Sequence, residues 1–101
     1  LIDWSHSAVQ IDRQIRALNP WPGTTAQIDD KQFKIKHATR NASDMAKGDV
    51  ESGKILNKQG DILCGDGHIL RILSIQPPGK KAMDFNSALN GGYLKVGELF
   101  Q

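Results

Sequence analysis

The sequence predicts a mainly β fold, a small barrel with an N-terminal helix and a short C-terminal helix. Three patterns predict it: helical spacing of apolar residues near the start, short apolar runs afterwards, and turn residues between those runs. A closed or nearly closed barrel is expected because closure removes the exposed edges of so small a sheet. The 101 residues suit one domain with a single modest core.

The first helix is predicted to begin at Ser7. Ser7 and Gln10 have the spacing of a capping box, in which each side chain bonds the backbone N–H of the other residue. An apolar stripe with spacings of three and four follows: Ala8, Ile11, Ile15 and Leu18. Asp12 and Arg16, four residues apart, are expected on the solvent side. The helix should end at Asn19-Pro20, because the residue before a proline is pushed out of the helical conformation.

After a stiff connector at Pro20-Trp21-Pro22-Gly23, the pattern changes from helical to alternating. Phe33 and Ile35 point to one face, and Lys34 and Lys36 to the other. This alternation predicts a half-buried antiparallel strand on which both lysines face solvent together.

The next part of the sheet is predicted as a loop and then a meander. The stretch from Asn41 to Ser52 is rich in small and polar residues, so it is expected to be the longest loop and to be mobile. Three short apolar runs with glycine-containing turns between them follow: Lys54–Asn57, Asp61–Cys64 and His68–Ile75. They predict three consecutive strands.

The end of the chain is predicted to hold the second helix. Pro77-Pro78-Gly79 should stop the long strand, and Asp84 is a suitable N-cap for a short helix closed by Asn90-Gly91-Gly92. A final short strand is expected from Tyr93 to Phe100. These elements fit an oligonucleotide-binding-type (OB-type) barrel best, while periodicity alone leaves an SH3-like barrel or a small sandwich open.

Composition narrows the class of protein. There is no run long enough for a membrane span and no signal-peptide pattern at the N-terminus, so a soluble chain is expected. A single cysteine, which can form no internal disulfide, fits the reducing cytoplasm, where we expect the protein. The first residue, Leu1, is not Met, and we expect the chain to be a piece of a longer protein. The net charge of +2 is too small to identify a nucleic-acid binder, but Lys31 to Arg40 contains four basic residues and no acid.

The sequence offers few residues in arrangements that suit catalysis. His6, His37 and His68 lie about thirty residues apart without paired ligand spacing, so no metal site is expected. Cys64, the only cysteine, is interpreted as a small buried hydrophobe, and Asp66 between two glycines as a turn residue. Trp4 and Trp21 could stack on bases, although packing of the first helix onto the barrel is favoured.

One loop carries positive charges that could bind phosphate. Gly79-Lys80-Lys81 places two cations after a strand, where they could meet phosphates or could simply be solvated charges.

Four stretches of the chain resemble a known family. They are Ile2-Asp3-Trp4-Ser5, the run Ile15-Arg16-Ala17-Leu18-Asn19-Pro20-Trp21-Pro22-Gly23, Gly65-Asp66-Gly67, and the run Gln76-Pro77-Pro78-Gly79-Lys80-Lys81-Ala82-Met83. In this order they resemble the C-terminal domain of methionyl-tRNA formyltransferases. The resemblance covers essentially the whole chain, residues 1–101, as a single OB-like domain.

The resemblance implies a role for the chain. In the intact family enzyme such a barrel follows a Rossmann-type catalytic domain, absent here, and helps to hold initiator methionyl-tRNA. The enzyme transfers a formyl group from 10-formyltetrahydrofolate to the methionine on that tRNA. The family's catalytic residues belong to the N-terminal domain, so none is assigned here. We expect this domain to be a monomer, inactive alone, with no cofactor, no metal and no membrane contact, and to have initiator tRNA and its own N-terminal domain as partners.

The candidate RNA-binding residues are basic side chains from one strand and one loop. They are Lys34, Lys36 and Arg40 with Lys80 and Lys81, and, as weaker candidates, Arg16 and Arg71. The alternative is a structural or docking barrel without RNA contact, as in related formyltransferases that act on a nucleotide sugar or are fused to a folate dehydrogenase. Lysines gathered on one face favour tRNA, and lysines scattered around the barrel favour the docking role.

Overall fold

The computed structural model describes residues 1–18, 23–45 and 51–101. In chain order its elements are α1 (Ala8–Leu18), β1 (Thr24–Ile28), β2 (Lys31–Met45), β3 (Asp61–Leu63), β4 (His68–Gln76), β5 (Met83–Asp84) and α2 (Phe85–Asn90). The fold is therefore mainly β with one helix before the sheet and a short one after it, as the sequence predicted.

The strands form one antiparallel sheet that curls on itself. Its order is β1-β2-β4-β3, and β5 also pairs with β4. Isolated bridges extend it from Ile62 to Ile55 and from Lys54 to Leu99. The last residue then returns to the first strand, since the N–H of Gln101 donates to the carbonyl oxygen of Gln27 at 2.7 Å. The arrangement is consistent with an OB-like barrel.

The core fills the inside of this curl. Large, fully buried side chains come from β2, β3, β4 and the bridge at Ile55: Phe33, Ile35, Ile55, Ile62, Leu70, Ile72 and Ile75. Helix α1 packs onto it with Ile11 and Ile15, two members of the predicted stripe. Trp4 is 3% exposed and stacks on Phe100 with ring centroids 5.5 Å apart. The packing role predicted for Trp4 is confirmed, whereas Trp21 lies outside the described residues.

The predicted capping box closes the start of α1. The hydroxyl of Ser7 accepts from the N–H of Gln10 at 3.2 Å, and the amide oxygen of Gln10 accepts from the N–H of Ser7 at 3.1 Å. The helix is described as far as Leu18, and the predicted stop and proline-rich connector fall mostly outside the described residues. Asp84 is the predicted N-cap of α2, and its carboxylate accepts from the N–H of Ser87 at 2.7 Å.

Three sequence-based assignments need correction. Residues 41–45, expected in a loop, continue β2, because pairing with β4 extends to Met45, which lies opposite His68. Residues 46–50 of the same predicted loop lie outside the described residues. The predicted strands Lys54–Asn57 and Tyr93–Phe100 contribute only isolated bridges, since their hydrogen bonds to each other are interrupted by turns.

Candidate nucleic-acid interface

The pairing of β2 with β4 decides which basic residues share a face. Ile35 lies opposite Ile75, His37 opposite Ser74, and Ala38 opposite Ile72. Each strand thus has one extra residue, Lys36 on β2 and Leu73 on β4, and each extra residue forms a bulge. The second bulge restores the pairing register that the first one shifts. Bulges change the side to which later residues point.

Before these bulges, the even-numbered residues of β2 face outward. Lys34 is exposed between the buried side chains of Phe33 and Ile35. After the bulges the alternation is reversed, so that Thr39 is exposed opposite Arg71 while Arg40 lies opposite the buried Leu70. Arg40 therefore does not share the face of Lys34, contrary to the prediction from simple alternation.

The loop lysines lie at the Lys34 end of the sheet. Lys34 is opposite Gln76 in the β2–β4 register, and the side-chain amide of Gln76 donates to the carbonyl oxygen of Lys80 at 2.8 Å. Lys80 and Lys81 are exposed, and Lys36 is half-buried in its bulge. We call the side of β2 and β4 that faces away from the core, together with the Lys80–Lys81 loop, the outer face.

Arg16 and Arg40 are held by a carboxylate at the helix–sheet contact. Asp12 is only 6% exposed, against the expectation that it faces solvent. Its carboxylate accepts from Nε of Arg16 at 3.1 Å and from Nε of Arg40 at 3.2 Å. A buried carboxylate needs such partners. Arg40 therefore links β2 to α1, whereas Arg16 is paired within α1, and neither arginine lies on the outer face.

Arg71 is on the outer face but also has a carboxylate partner. Its Nε donates to Oδ1 of Asp61 at 2.7 Å, and its Nη2 donates to Oδ2 at 3.1 Å. The amide of Asn57 donates to the same Oδ2 at 2.8 Å. Burial raises the pKa of Asp61, but the hydrogen bonds from Arg71 and Asn57 outweigh it and leave the pKa below its usual value. Asp61 stays ionised at neutral pH and offsets the charge of Arg71.

A cavity beside Arg71 contains a lysine that sequence reasoning did not select. The cavity has a volume of about 440 Å³ and is lined by residues of β4, of the start of α2, and of the turn that carries Lys58 and Gln59. Lys58 is exposed, and it lies outside the four stretches that resemble the family. No pattern in the sequence indicates that this turn lies beside β4.

The remaining candidates for chemistry have structural roles. Burial raises the pKa of the Cys64 thiol to about 12, so the thiol is neutral and unreactive at ordinary pH. Asp66 accepts from the N–H groups of Ala8 and His68 at 3.3 Å and 3.2 Å, which ties the glycine turn to the start of α1. Within the described ranges, no three His, Cys, Asp or Glu side chains are grouped as metal ligands would be.

Among residues 1–18, 23–45 and 51–101, neither helix has the length and apolar character needed to cross a bilayer.

Comparison with known proteins gives consistent matches. Residues 1–93 match the model of the family described as formyl transferase, C-terminal domain. Methionyl-tRNA formyltransferase of Marinobacter nauticus is 44% identical over 94 residues, covering 90% of this chain and 29% of the relative. The enzymes so named from Gluconacetobacter diazotrophicus and Herpetosiphon aurantiacus are 41% and 38% identical, over 95% and 90% of this chain. The chain spans 29% to 30% of the length of these three relatives.

Proposed function

This chain belongs to the formyl transferase C-terminal domain family, and on that premise we propose that it binds the phosphate backbone of tRNA and positions initiator methionyl-tRNA for formylation. Backbone contacts fix the place and orientation of a nucleic acid but carry little sequence information. Discrimination of the initiator from other tRNAs therefore lies mainly outside this domain.

The observation that carries the proposal is the outer face with its unpaired lysines. Within residues 1–18, 23–45 and 51–101, the ammonium groups of Lys34, Lys80 and Lys81 have no ion pair. They lie at one end of the sheet, joined through Gln76. Each lysine that neutralises a phosphate releases condensed counterions, which gives binding even when the net charge of the domain is small.

The proposal extends to the longer protein. A catalytic domain preceding this one would transfer the formyl group from 10-formyltetrahydrofolate to the methionine on the tRNA. The domain described here would bind neither folate nor metal and would be inactive alone. The relatives are methionyl-tRNA formyltransferases, which supports this role over that of a barrel serving a nucleotide-sugar or folate enzyme without RNA contact.

The test is a salt titration of the 101-residue chain binding initiator tRNA, with an elongator tRNA and duplex DNA as competitors. Both tRNAs should bind with similar, salt-sensitive affinity. Lys80→Ala/Lys81→Ala should weaken both and reduce the slope of log K against log salt by up to about two, since roughly one unit is lost per phosphate contact.

A matched control removes two positive charges elsewhere. Arg13 lies on α1 and Lys54 in the bridge to Leu99, so neither belongs to β2, β4 or the Lys80–Lys81 loop that form the outer face. Arg13→Gln/Lys54→Gln should keep nearly the original slope. Absence of binding at low salt, or an equal loss of tRNA affinity in the two double variants, would reject the outer face as the tRNA-binding surface.

A further inference from the structure

A groove runs along one side of α2. It consists of two adjoining cavities, of about 440 Å³ and about 300 Å³, which share Lys58 and Asn86 in their linings. The first is bordered by Arg71 and Leu73 of β4, and the second extends past Asn90 to Lys95. We call this continuous depression the α2 groove.

Lys58 is presented to the groove by a stiff turn. The side-chain oxygen of Asn57 accepts from the N–H groups of Gln59 and Asp61 at 3.0 Å and 3.3 Å. The carbonyl oxygen of Gly60 accepts from the N–H of Ile72 at 2.8 Å, and there is no room for a Cβ at Gly60, which would lie 2.5 Å from the carbonyl oxygen of Ile72. The backbone that carries Lys58 is thus fixed on both sides of this residue, so it loses little conformational entropy when a ligand binds.

The groove lining, as far as the structure describes it, carries a net positive charge, because Lys58 and Lys95 outnumber its one acid, Asp84. In the described part of the chain, Lys58 and Lys95 have no ion pair. The carboxylate of Asp84 accepts from the N–H of Ser87, and that of Glu98 accepts from the backbone N–H of Lys95 at 2.6 Å, so within the described ranges neither acid is paired with a lysine ammonium group. The amide side chains of Gln59, Asn86 and Asn90 supply hydrogen-bonding groups between the lysines.

We propose that the α2 groove is a second RNA-backbone subsite, in which Lys58 and Lys95 bind phosphodiester groups and the amides contact ribose hydroxyls. This inference rests on the proposed function and extends it. The groove and the outer face are continuous, because Arg71 belongs to both and because β5 leads directly from the Lys80–Lys81 loop into α2. Helix α2 has six residues, roughly 9 Å, enough for about two successive phosphates of one strand.

The lining favours RNA over a protein partner. Leu73 and Val96 are exposed at 46% and 45%, but they line different cavities of the groove, and the residues that the two cavities share are Lys58 and Asn86. The centres of protein–protein interfaces are depleted in lysine, whereas flexible ammonium groups are common phosphate ligands.

The experiment compares Lys58→Ala/Lys95→Ala with the unchanged chain in the same tRNA salt titration. We expect a loss of three- to tenfold in tRNA affinity near physiological salt and a further reduction of the slope by up to about two. Lys58→Arg should retain affinity because it keeps the charge. Arg13→Gln/Lys54→Gln is the control, and unfolding midpoints verify that every variant is folded.

The outcomes separate this inference from the proposed function. If the unchanged chain binds and Lys80→Ala/Lys81→Ala weakens binding, but Lys58→Ala/Lys95→Ala binds with unchanged affinity and slope, the groove is not an RNA subsite while the outer face is. Titrations with AMP and inorganic phosphate form the second arm. Saturable, Lys58-dependent binding of either probe without any loss of tRNA affinity would assign the groove to a free phosphorylated ligand and overturn the inference.

Discussion

Asp12 is the one acid of α1, and its carboxylate holds two of the candidate RNA-binding residues, Arg16 and Arg40. Asp12 and Arg16 are four residues apart on one helix, a spacing that sequence alone relates. Arg40 is 28 residues away from Asp12, and its bond to Asp12 depends on the packing of α1 against β2. The spacing thus predicted one partner of Asp12, and no local pattern could have predicted the other.

Asp12→Asn should destabilise the domain by about 1–3 kcal/mol. The substitution removes a charged acceptor shared by two arginines and leaves a buried amide with poorer partners. Urea unfolding measures the change, and Asp30→Asn, at an exposed turn position, is the matched control with an expected change of less than about 0.5 kcal/mol. Equal stability of the two variants would show that the Asp12 bonds contribute little.

At the scale of an element, β2 shows what alternation can and cannot predict. Phe33 and Ile35 are buried as expected, because a regular strand places every second side chain on one face. The two bulges at Lys36 and Leu73 carry no sequence signature that we recognised, and they reverse the direction of Arg40. The face of Lys34 was therefore predictable, and the face of residues beyond the bulge was not.

The N-terminal segment makes a close backbone contact that the sequence does not predict. Gly65-Asp66-Gly67 was recognisable as a turn, but its contact with the start of the chain was not. The N–H of Gly65 donates to the carbonyl oxygen of His6 at 2.8 Å, and a Cβ on Gly65 would collide with the backbone carbonyl of Ser5. The glycine is needed for this close approach of two backbones.

Gly65→Ala should cost about 1–3 kcal/mol of stability, because backbone atoms must move to admit the methyl group. It should also reduce hydrogen-exchange protection of the Ile2 amide, which donates to the carbonyl oxygen of Thr25 at 2.8 Å. Gly79→Ala is the comparison, since a Cβ there meets nothing within 4 Å and only its positive φ of 72° is unfavourable. A Gly65→Ala variant with unchanged Ile2 protection would contradict the close-contact explanation.

For the whole molecule, closure of the barrel depends on residues beyond the part that matches the family model. Leu94 and Phe100 are both 2% exposed, although the match ends at residue 93. Phe100 stacks on Trp4 and meets Phe33 edge-on with ring centroids 6.3 Å apart, so it connects the N-terminal segment, β2 and the end of the chain. The sequence predicted a strand from Tyr93 to Phe100. In the structure a few backbone hydrogen bonds and the buried ring of Phe100 attach this segment to the barrel instead.

Phe100→Ala should lower the free energy of unfolding by about 3–5 kcal/mol, as for other buried aromatic truncations. This is a large fraction of the stability of a typical small domain. The neighbouring Leu99→Ala, at a side chain that is 36% exposed, is the matched control and should cost much less. Similar unfolding midpoints for the two variants would mean that the ring does not hold the barrel closed.

Ile2 and Gln101, near the two ends of this chain, bond the same strand. The N–H of Ile2 donates to Thr25 of β1 and the N–H of Gln101 donates to Gln27, two positions further along. Two residues of extended chain span roughly 7 Å. A short linker could therefore join the ends, and the exposed turn at Asp29-Asp30 could become a new opening. The geometry is compatible with circular permutation, and with grafting of the whole barrel into a surface loop of another protein.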